Sequence, residues 1–283
     1  MGFPAMLPVP FRLIINVVRR FREERCAQTA AALSFATLLG LVPMLAVGAA
    51  LIEILPFGIK LAAALEKFLL ATLLPDKAGT VIAKYLGQFA HRAERVTWVG
   101  LAALAGTALL QMLTIEHTFN AIWQVQKRRP WLRRLGLHLL ALLAGPLVFG
   151  GALASITFLA TASFGLVDEP RWVRIAFSET LPLIFLAVLF SLLYWALPNR
   201  PVSRWHAGFS GAGAALAFVG MQRLFALYVV KLPTYTLIYG AFAAIPIFLL
   251  WLYLSWSVIL VGALVTAELP GVAGRLDRHA PRR

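Results

Sequence analysis

The stretch that decides the fold is YGAFAAIPIFLLWLYLSW, from Tyr239 to Trp256, and no charged residue follows it until Glu268. A helix needs about 20 mostly apolar residues to cross a bilayer. The apolar stretch covers about 238–268, which is longer than one perpendicular helix requires. It therefore predicts a spanning helix that either tilts or breaks near Gly240 or Pro246.

Five further apolar stretches precede this one along the chain, at about 28–55, 97–120, 136–163, 178–197 and 206–230. The composition agrees, because 60% of the 283 residues are apolar and only 13% are charged, whereas soluble domains run near 45–50% and about 25%. A soluble globular or disordered chain is thereby excluded. We predict an all-α polytopic membrane protein, with six transmembrane helices in one domain over 1–270. Four of the stretches contain proline, which predicts bent helices.

Amphipathic segments flank the first predicted span. In 11–25 the apolar residues follow helical spacing along one face, and the long connection at 56–96 holds two further apolar stripes. We predict that the first segment is a helix lying in the membrane interface. The connection is predicted to form two helices on the outer face, either packed on the bundle or lying in the headgroups. Residues 271–283 form a basic tail. The apolar residues of the first segment are Phe11, Ile14, Ile15 and Val18.

The charge balance indicates topology. Lys and Arg number 26 against 12 Asp and Glu, and the basic residues cluster at 12–25, 127–134, 200–204 and in the tail. With six spans these clusters fall on one side, and cytoplasmic loops are rich in Lys and Arg. We predict a bacterial inner-membrane protein with both termini cytoplasmic. Its basic clusters are expected to contact anionic headgroups, with no nucleic-acid partner. Cys26, as the single cysteine, cannot form an internal disulfide.

The sequence carries no recognisable catalytic pattern. It has no HExxH, CxxC, paired-carboxylate or phosphate-cradling motif, so we predict no enzyme, no cofactor and no metal site. Ionisable groups within spans are still functional candidates. Glu116 and Asn120 share one helix face near the inner end of the second span, either as functional groups or as an interfacial helix end. Arg223 either snorkels to the outer headgroups or holds an acid or a lipid phosphate. Glu53 is the preferred acid and Glu179 the second.

Several motifs together resemble one family. They are AALSFATLLGLVPML (31–45), FNAIWQV (119–125), LPNRPV (197–202) and LPTYTLIYG (232–240), followed by the 239–256 stretch. The chain resembles the YihY / virulence factor BrkB family over about 10–270. The resemblance implies a six-span inner-membrane protein linked to envelope integrity. It supplies no set of catalytic residues. The family also carries an old label, ribonuclease BN, which we interpret as a misassignment. The matching positions are Pro43, Asn120, Trp123, Pro198, Asn199, Tyr235, Tyr239, Gly240, Pro246, Trp251 and Glu268.

Three functions follow as hypotheses. The first is the handling or transport of a lipid or amphiphile, which suits spans with few charges. The second is a non-catalytic scaffold that binds another envelope protein. The third, a membrane-tethered nuclease that processes RNA, depends on the old family label and the basic loops.

Overall fold

The computed structural model describes residues 9–53, 98–125, 171–230 and 244–279, together with 130, 132, 134 and 136. Every element within these ranges is helical, as the composition predicts. The helices are α1 (Val9–Glu23), α2 (Cys26–Glu53), α3 (Trp98–Ile122), α4 (Arg171–Ala196), α5 (Arg204–Val230) and α6 (Ala244–His279).

The five helices α2 to α6 are long enough to cross a membrane. α3, the shortest, has 25 residues, which at 1.5 Å per residue is about 38 Å, against a hydrocarbon core of about 30 Å. Within the described residues, two helices are both long enough and apolar enough to cross a membrane, Arg204–Val229 and Ile245–Gly271. Two shorter segments are also apolar, Cys26–Gly40 and Pro182–Ala196. Apart from Gly136, the third predicted span lies outside the described residues, as does the connection at 56–96. The count of six therefore stays a prediction.

Two prolines lie elsewhere in their helices than the sequence predicts. α4 begins at Arg171 and not near 178, so Pro182 falls in the helix interior and not in its first turns. α6 begins at Ala244, which puts Pro246 in the first turn. The first four N–H groups of a helix have no intrahelical acceptor, so Pro246 removes no hydrogen bond within α6. Residues 231–243 lie outside the described part of the chain, so the alternative of a break near Gly240 or Pro246 stays a prediction. α6 encloses Pro270 and continues to His279.

α6 is the central helix of the described bundle, because it contacts each of the other five helices. Its Trp251 is 2% exposed and packs against two aromatic rings of α5, with centroids 5.7 Å away at Phe218 and 5.1 Å away at Phe225. Aromatic contacts continue through Phe190 and Tyr194 of α4. The interior between these helices is therefore filled by large rings, and Trp251 is a core residue.

α4 and α5 share the most extensive contact in the bundle, and a glycine allows it. A Cβ on Gly211 would lie 2.6 Å from the backbone nitrogen of Ser191, so only glycine permits this approach. Gly213, two residues on, faces open space. The small residues of α5 thus serve close packing where their helix face meets a neighbouring helix, as Gly211 does with α4.

α1 is the amphipathic helix that the sequence predicts, and it packs mainly on α6. The predicted apolar residues share one face, and all of them are exposed, as expected for a helix that meets lipid. A second face holds the buried Val17 and the partly buried Leu13 and Phe21, which join the core. The exposed apolar row of α1 consists of Phe11, Ile14, Ile15 and Val18.

Candidate functional site

A guanidinium at the end of α1 joins three helices. Arg20 donates from Nη1 to Glu268 Oε1 on α6 at 2.8 Å. It also donates from Nε to Glu24 Oε1 at 2.8 Å, one turn further along the chain. Its Nη2 donates to the carbonyl oxygen of Ile122, at the end of α3, at 2.7 Å. The other carboxylate oxygen of Glu268 accepts a longer contact of 3.4 Å from Asn16.

The local chain geometry prepares this acceptor. α3 ends at Ile122, and Gln124 two residues beyond it lies in the left-handed region at φ 52°. The Val125 N–H donates back to the carbonyl of Asn120 at 2.9 Å. Such a terminus leaves some of the last carbonyls without intrahelical donors. The Ile122 carbonyl is one that takes a side-chain donor, and a cation there also complements the helix dipole.

The Arg20 cluster is well shielded from solvent. The side chains of Arg20 and Glu268 are 15% and 21% exposed. Burial alone would lower the pKa of Arg20, but the hydrogen bonds and charges of Glu24 and Glu268 outweigh it and raise that pKa above the usual arginine value. Arg20 is therefore a permanent cation, and its bond to Glu268 connects α1 to α6.

A cleft of about 490 Å³ opens beside this cluster. Its volume lies in the range of small-molecule sites, about 300–1,000 Å³. We call it the charged cleft, because three arginines and three glutamates line it. Its lining is Arg19, Arg20, Glu23, Glu24, Ile122, Trp123, Gln124, Arg200, Ala267 and Glu268.

Aromatic and basic residues mark the level of this end of the bundle. The guanidinium carbon of Arg204 lies 5.3 Å from the ring centroid of Trp195, a cation–π distance. Trp205 beside it is 87% exposed. Tryptophans of this kind gather where a membrane meets water, and Arg200 of the cleft lies in the short connection between these two tryptophans. These residues predict that the charged cleft lies near the membrane–water interface.

A second ionic contact lies one to two turns back along α3. The side chain of Glu116 is 2% exposed, and its Oε2 accepts from Arg134 Nε at 2.6 Å. Asn120 Nδ2 lies 3.5 Å from the other carboxylate oxygen, and Asn120 Oδ1 accepts from the backbone N–H of Asn199 at 2.7 Å. The network ties α3 to the connection before α5, so Glu116 is buried and paired, unlike an exposed interfacial helix end.

The structure brings together some of the positions predicted as functional. Glu116, Asn120 and Asn199 form the network just described, and Trp123 and Glu268 line the charged cleft. The other predicted positions have their own outcomes. Trp251 lies in the core, Pro246 lies at the start of α6, Pro43 and Glu53 lie in α2 with side chains outside the described part, and Tyr235, Tyr239 and Gly240 lie outside the described residues.

Arg223 is exposed on α5, where the sequence weighs snorkelling against pairing. Because the side chain of Glu53 lies outside the described part of the chain, the pairing of these two residues stays a prediction. A double-mutant cycle with Arg223→Gln and Glu53→Gln would test it.

Sequence reasoning missed the residues that organise the site. Asn16, Arg20 and Glu24 are spaced i, i+4, i+8, which is a polar row along one face of α1 and a signal that the sequence offers. Arg134 offers no such signal, because it is one of several basic residues in its segment. Among the described residues, no group of three or more His, Cys, Asp or Glu side chains comes together as metal ligands.

The chain is similar to proteins of known family. The family described as Virulence factor BrkB matches residues 17–283. A UPF0761 membrane protein of Aromatoleum aromaticum is 49% identical over 89% of this chain and 62% of its own length. One of Azoarcus is 49% identical over 90% and 63%, and one of Nitrosospira multiformis is 42% identical over 97% and 64%.

The chain thus spans somewhat under two thirds of the length of these curated relatives. No solved structure matches it. The family match covers nearly the whole chain, and the helical bundle agrees with it. The chain belongs to the virulence factor BrkB family and is an integral membrane protein of the UPF0761 group.

Proposed function

We propose that this protein binds and handles a membrane lipid or similar amphiphile at the end of the bundle where α1 packs on α6. One observation carries the proposal: α1 exposes an apolar row and also lines the charged cleft. An amphiphile has the two matching parts, an acyl chain for the row and a polar headgroup for the cleft. A water-soluble solute would make no favourable contact with the apolar row.

The exposures support a membrane-facing role for that row. Ile14 is 59% exposed and Phe11 is 52% exposed, and large apolar side chains gathered on one helix face mark a surface that lipid or another protein covers. Each fully buried side chain of this kind contributes roughly 1.5–3 kcal/mol. The row therefore favours a position in the headgroup and upper acyl region.

The proposal includes an orientation, with the charged cleft on the cytoplasmic side of the bacterial inner membrane. Three of the four basic segments meet at the C-terminal part of α3. Arg20 donates to the Ile122 carbonyl, Arg134 donates to Glu116, and Arg200 lines the charged cleft together with Ile122. Cytoplasmic segments are rich in such residues, and the anionic lipids of that leaflet attract them. Reporter fusions within 127–134 test this, and a periplasmic readout would reverse the orientation.

Lipid handling is tested with purified protein in liposomes. Movement of a fluorescent phospholipid between leaflets is measured for the wild-type protein, and lipid retained after detergent extraction is measured by mass spectrometry. An apolar-row variant, Ile14→Asn with Ile15→Asn, is expected to lose retained lipid, whereas Leu110→Asn, exposed on α3, serves as the matched control. Absence of both lipid movement and lipid retention in the wild type would refute the proposal.

A scaffold function is the second candidate, and the aromatic core favours it. The contacts from Phe190 through Phe218 to Trp251 and Phe225 fill the space between α4, α5 and α6. A filled interior suits a rigid platform for an envelope protein. Cross-linking in whole cells from the charged cleft, with a single protein product and no lipid effect in liposomes, would favour the scaffold.

A further inference from the structure

The charged cleft has equal numbers of the two charges among its described lining residues, three arginines and three glutamates. Arg20 is paired with Glu24 and Glu268, which leaves Arg19, Arg200 and Glu23 to meet a ligand. A purely anionic headgroup would find its opposite charge on the two arginines but would face the like charge of Glu23. A zwitterionic headgroup, by contrast, has a partner for each of its ends. The charge pattern therefore favours a headgroup that carries both a phosphate and an amine.

The individual side chains differ in how free they are to bind a ligand. Arg20 is held by three acceptors. Arg19 and Glu23 are 3.9 Å apart, each 63% exposed, and exposed pairs of this kind contribute about 0–1 kcal/mol. Breaking the contact between Arg19 and Glu23 to bind a ligand would therefore cost little free energy. Arg200 is exposed and makes no ion pair with any residue that the structure describes.

The chemistry of the cleft also distinguishes between amines. A carboxylate accepts hydrogen bonds from a primary ammonium, but a quaternary ammonium has none to donate and is recognised by aromatic cages. Trp123 lines the cleft, yet it is 6% exposed and its ring stacks on Phe119 at 6.1 Å. The exposed Glu23 is the more accessible partner.

We infer that the charged cleft binds the headgroup of a phosphoethanolamine-type phospholipid, with the phosphate on Arg19 and Arg200 and the primary ammonium on Glu23. Arg20 supports the site without touching the ligand. The acyl chains would lie along the exposed apolar row of α1. The inference rests on the proposed lipid function and specifies its headgroup class.

The test uses the full chain purified in detergent and offered an equimolar mixture of phosphatidylethanolamine, phosphatidylcholine and phosphatidylglycerol, with bound lipid counted by native mass spectrometry. The wild type is expected to retain phosphatidylethanolamine over each of the others by at least about fivefold, since charge-assisted hydrogen bonds are among the stronger ones. Soluble glycerophosphoethanolamine at the same concentration is expected not to compete.

Three variants carry the argument, each checked for folding by its thermal melt. Glu23→Gln is expected to lose the preference for phosphatidylethanolamine over phosphatidylglycerol, because only the ammonium partner is removed. Arg200→Gln is expected to weaken retention of both lipids, because it removes a phosphate partner. Arg22→Gln, an exposed arginine of the same helix outside the cleft, controls for general loss of positive charge and should match the wild type.

The outcomes separate this inference from the proposed function. Equal retention of the three lipids, or variants that behave like Arg22→Gln, would overturn the headgroup assignment and leave lipid handling in place. Efficient competition by soluble glycerophosphoethanolamine would overturn the assignment to a membrane lipid. Retention of no lipid at all would overturn both.

Discussion

Replacing Arg20 by glutamine should loosen α1 from the bundle. The change removes the cation that bonds to Glu24, Glu268 and the Ile122 carbonyl at 2.7–2.8 Å, and it leaves two carboxylates facing a neutral amide. Breaking a buried ion pair from one side costs about 3–5 kcal/mol, whereas an exposed pair contributes about 0–1 kcal/mol. Because these side chains are 15–24% exposed, we expect a cost of about 2–3 kcal/mol.

The chain contains its own reporter for this loss. Cys26 is the single cysteine, it is 2% exposed, and it begins α2 immediately after the turn that ends α1. A maleimide dye that fluoresces on reaction will therefore report when the α1–α2 junction opens during heating. For a chain of this size about 1 kcal/mol corresponds to about 2–4 °C, so Arg20→Gln should melt about 4–12 °C below the wild type.

Two comparisons make the result decisive. Arg22→Gln removes the same charge from an exposed position of α1 and should melt within about 1 °C of the wild type. Combining Arg20→Gln with Glu268→Gln should cost less than the sum of the single changes, because the second removes a charge that the first leaves unpaired. If Arg20→Gln melted like Arg22→Gln, the Arg20 cluster would not be what holds α1 on α6.

Further predictions concern the other contacts. Glu116→Ala leaves the guanidinium of Arg134 without its carboxylate and should cost about 2–4 kcal/mol, seen as a lower melting temperature, whereas an unchanged melt would contradict the pairing. Gly211→Leu should prevent a folded, monodisperse preparation because its side chain meets backbone, while Gly213→Leu, facing open space, should purify normally; size-exclusion chromatography distinguishes them. Cys26 precedes the predicted span, and burial, followed by the nearby charge of Glu24, raises the pKa of its thiol to about 11. Maleimide labelling of Cys26 should therefore be slow at pH 7, and its rate should rise about tenfold per pH unit up to pH 9. Unfolding the protein in sodium dodecyl sulfate should remove this protection.

Much of the fold follows from local patterns that the sequence displays. The apolar stretches predict the bounds of α2, α3 and α5 to within two residues of the observed ones, because a membrane accepts only segments that satisfy their own backbone. The spacing of Phe11, Ile14 and Val18 predicts α1 and its apolar row, because residues three and four positions apart lie on the same face of a helix. The start of α4 is missed because Arg171 and Arg174 interrupt the apolar residues of its first two turns, and apolarity is a poor guide where a helix extends beyond the hydrocarbon.

Residue pairing is where sequence reasoning ends, because side chains far apart in the chain meet only through helix packing. The composition and charge distribution determine by themselves that this is a helical membrane protein with basic segments. Only the tertiary structure decides that Arg20 meets Glu268, which lies 248 positions further along the chain, and that Glu116 meets Arg134. The physical reason is that hydrophobicity acts on whole segments without direction, whereas a hydrogen bond needs two atoms within about 3 Å.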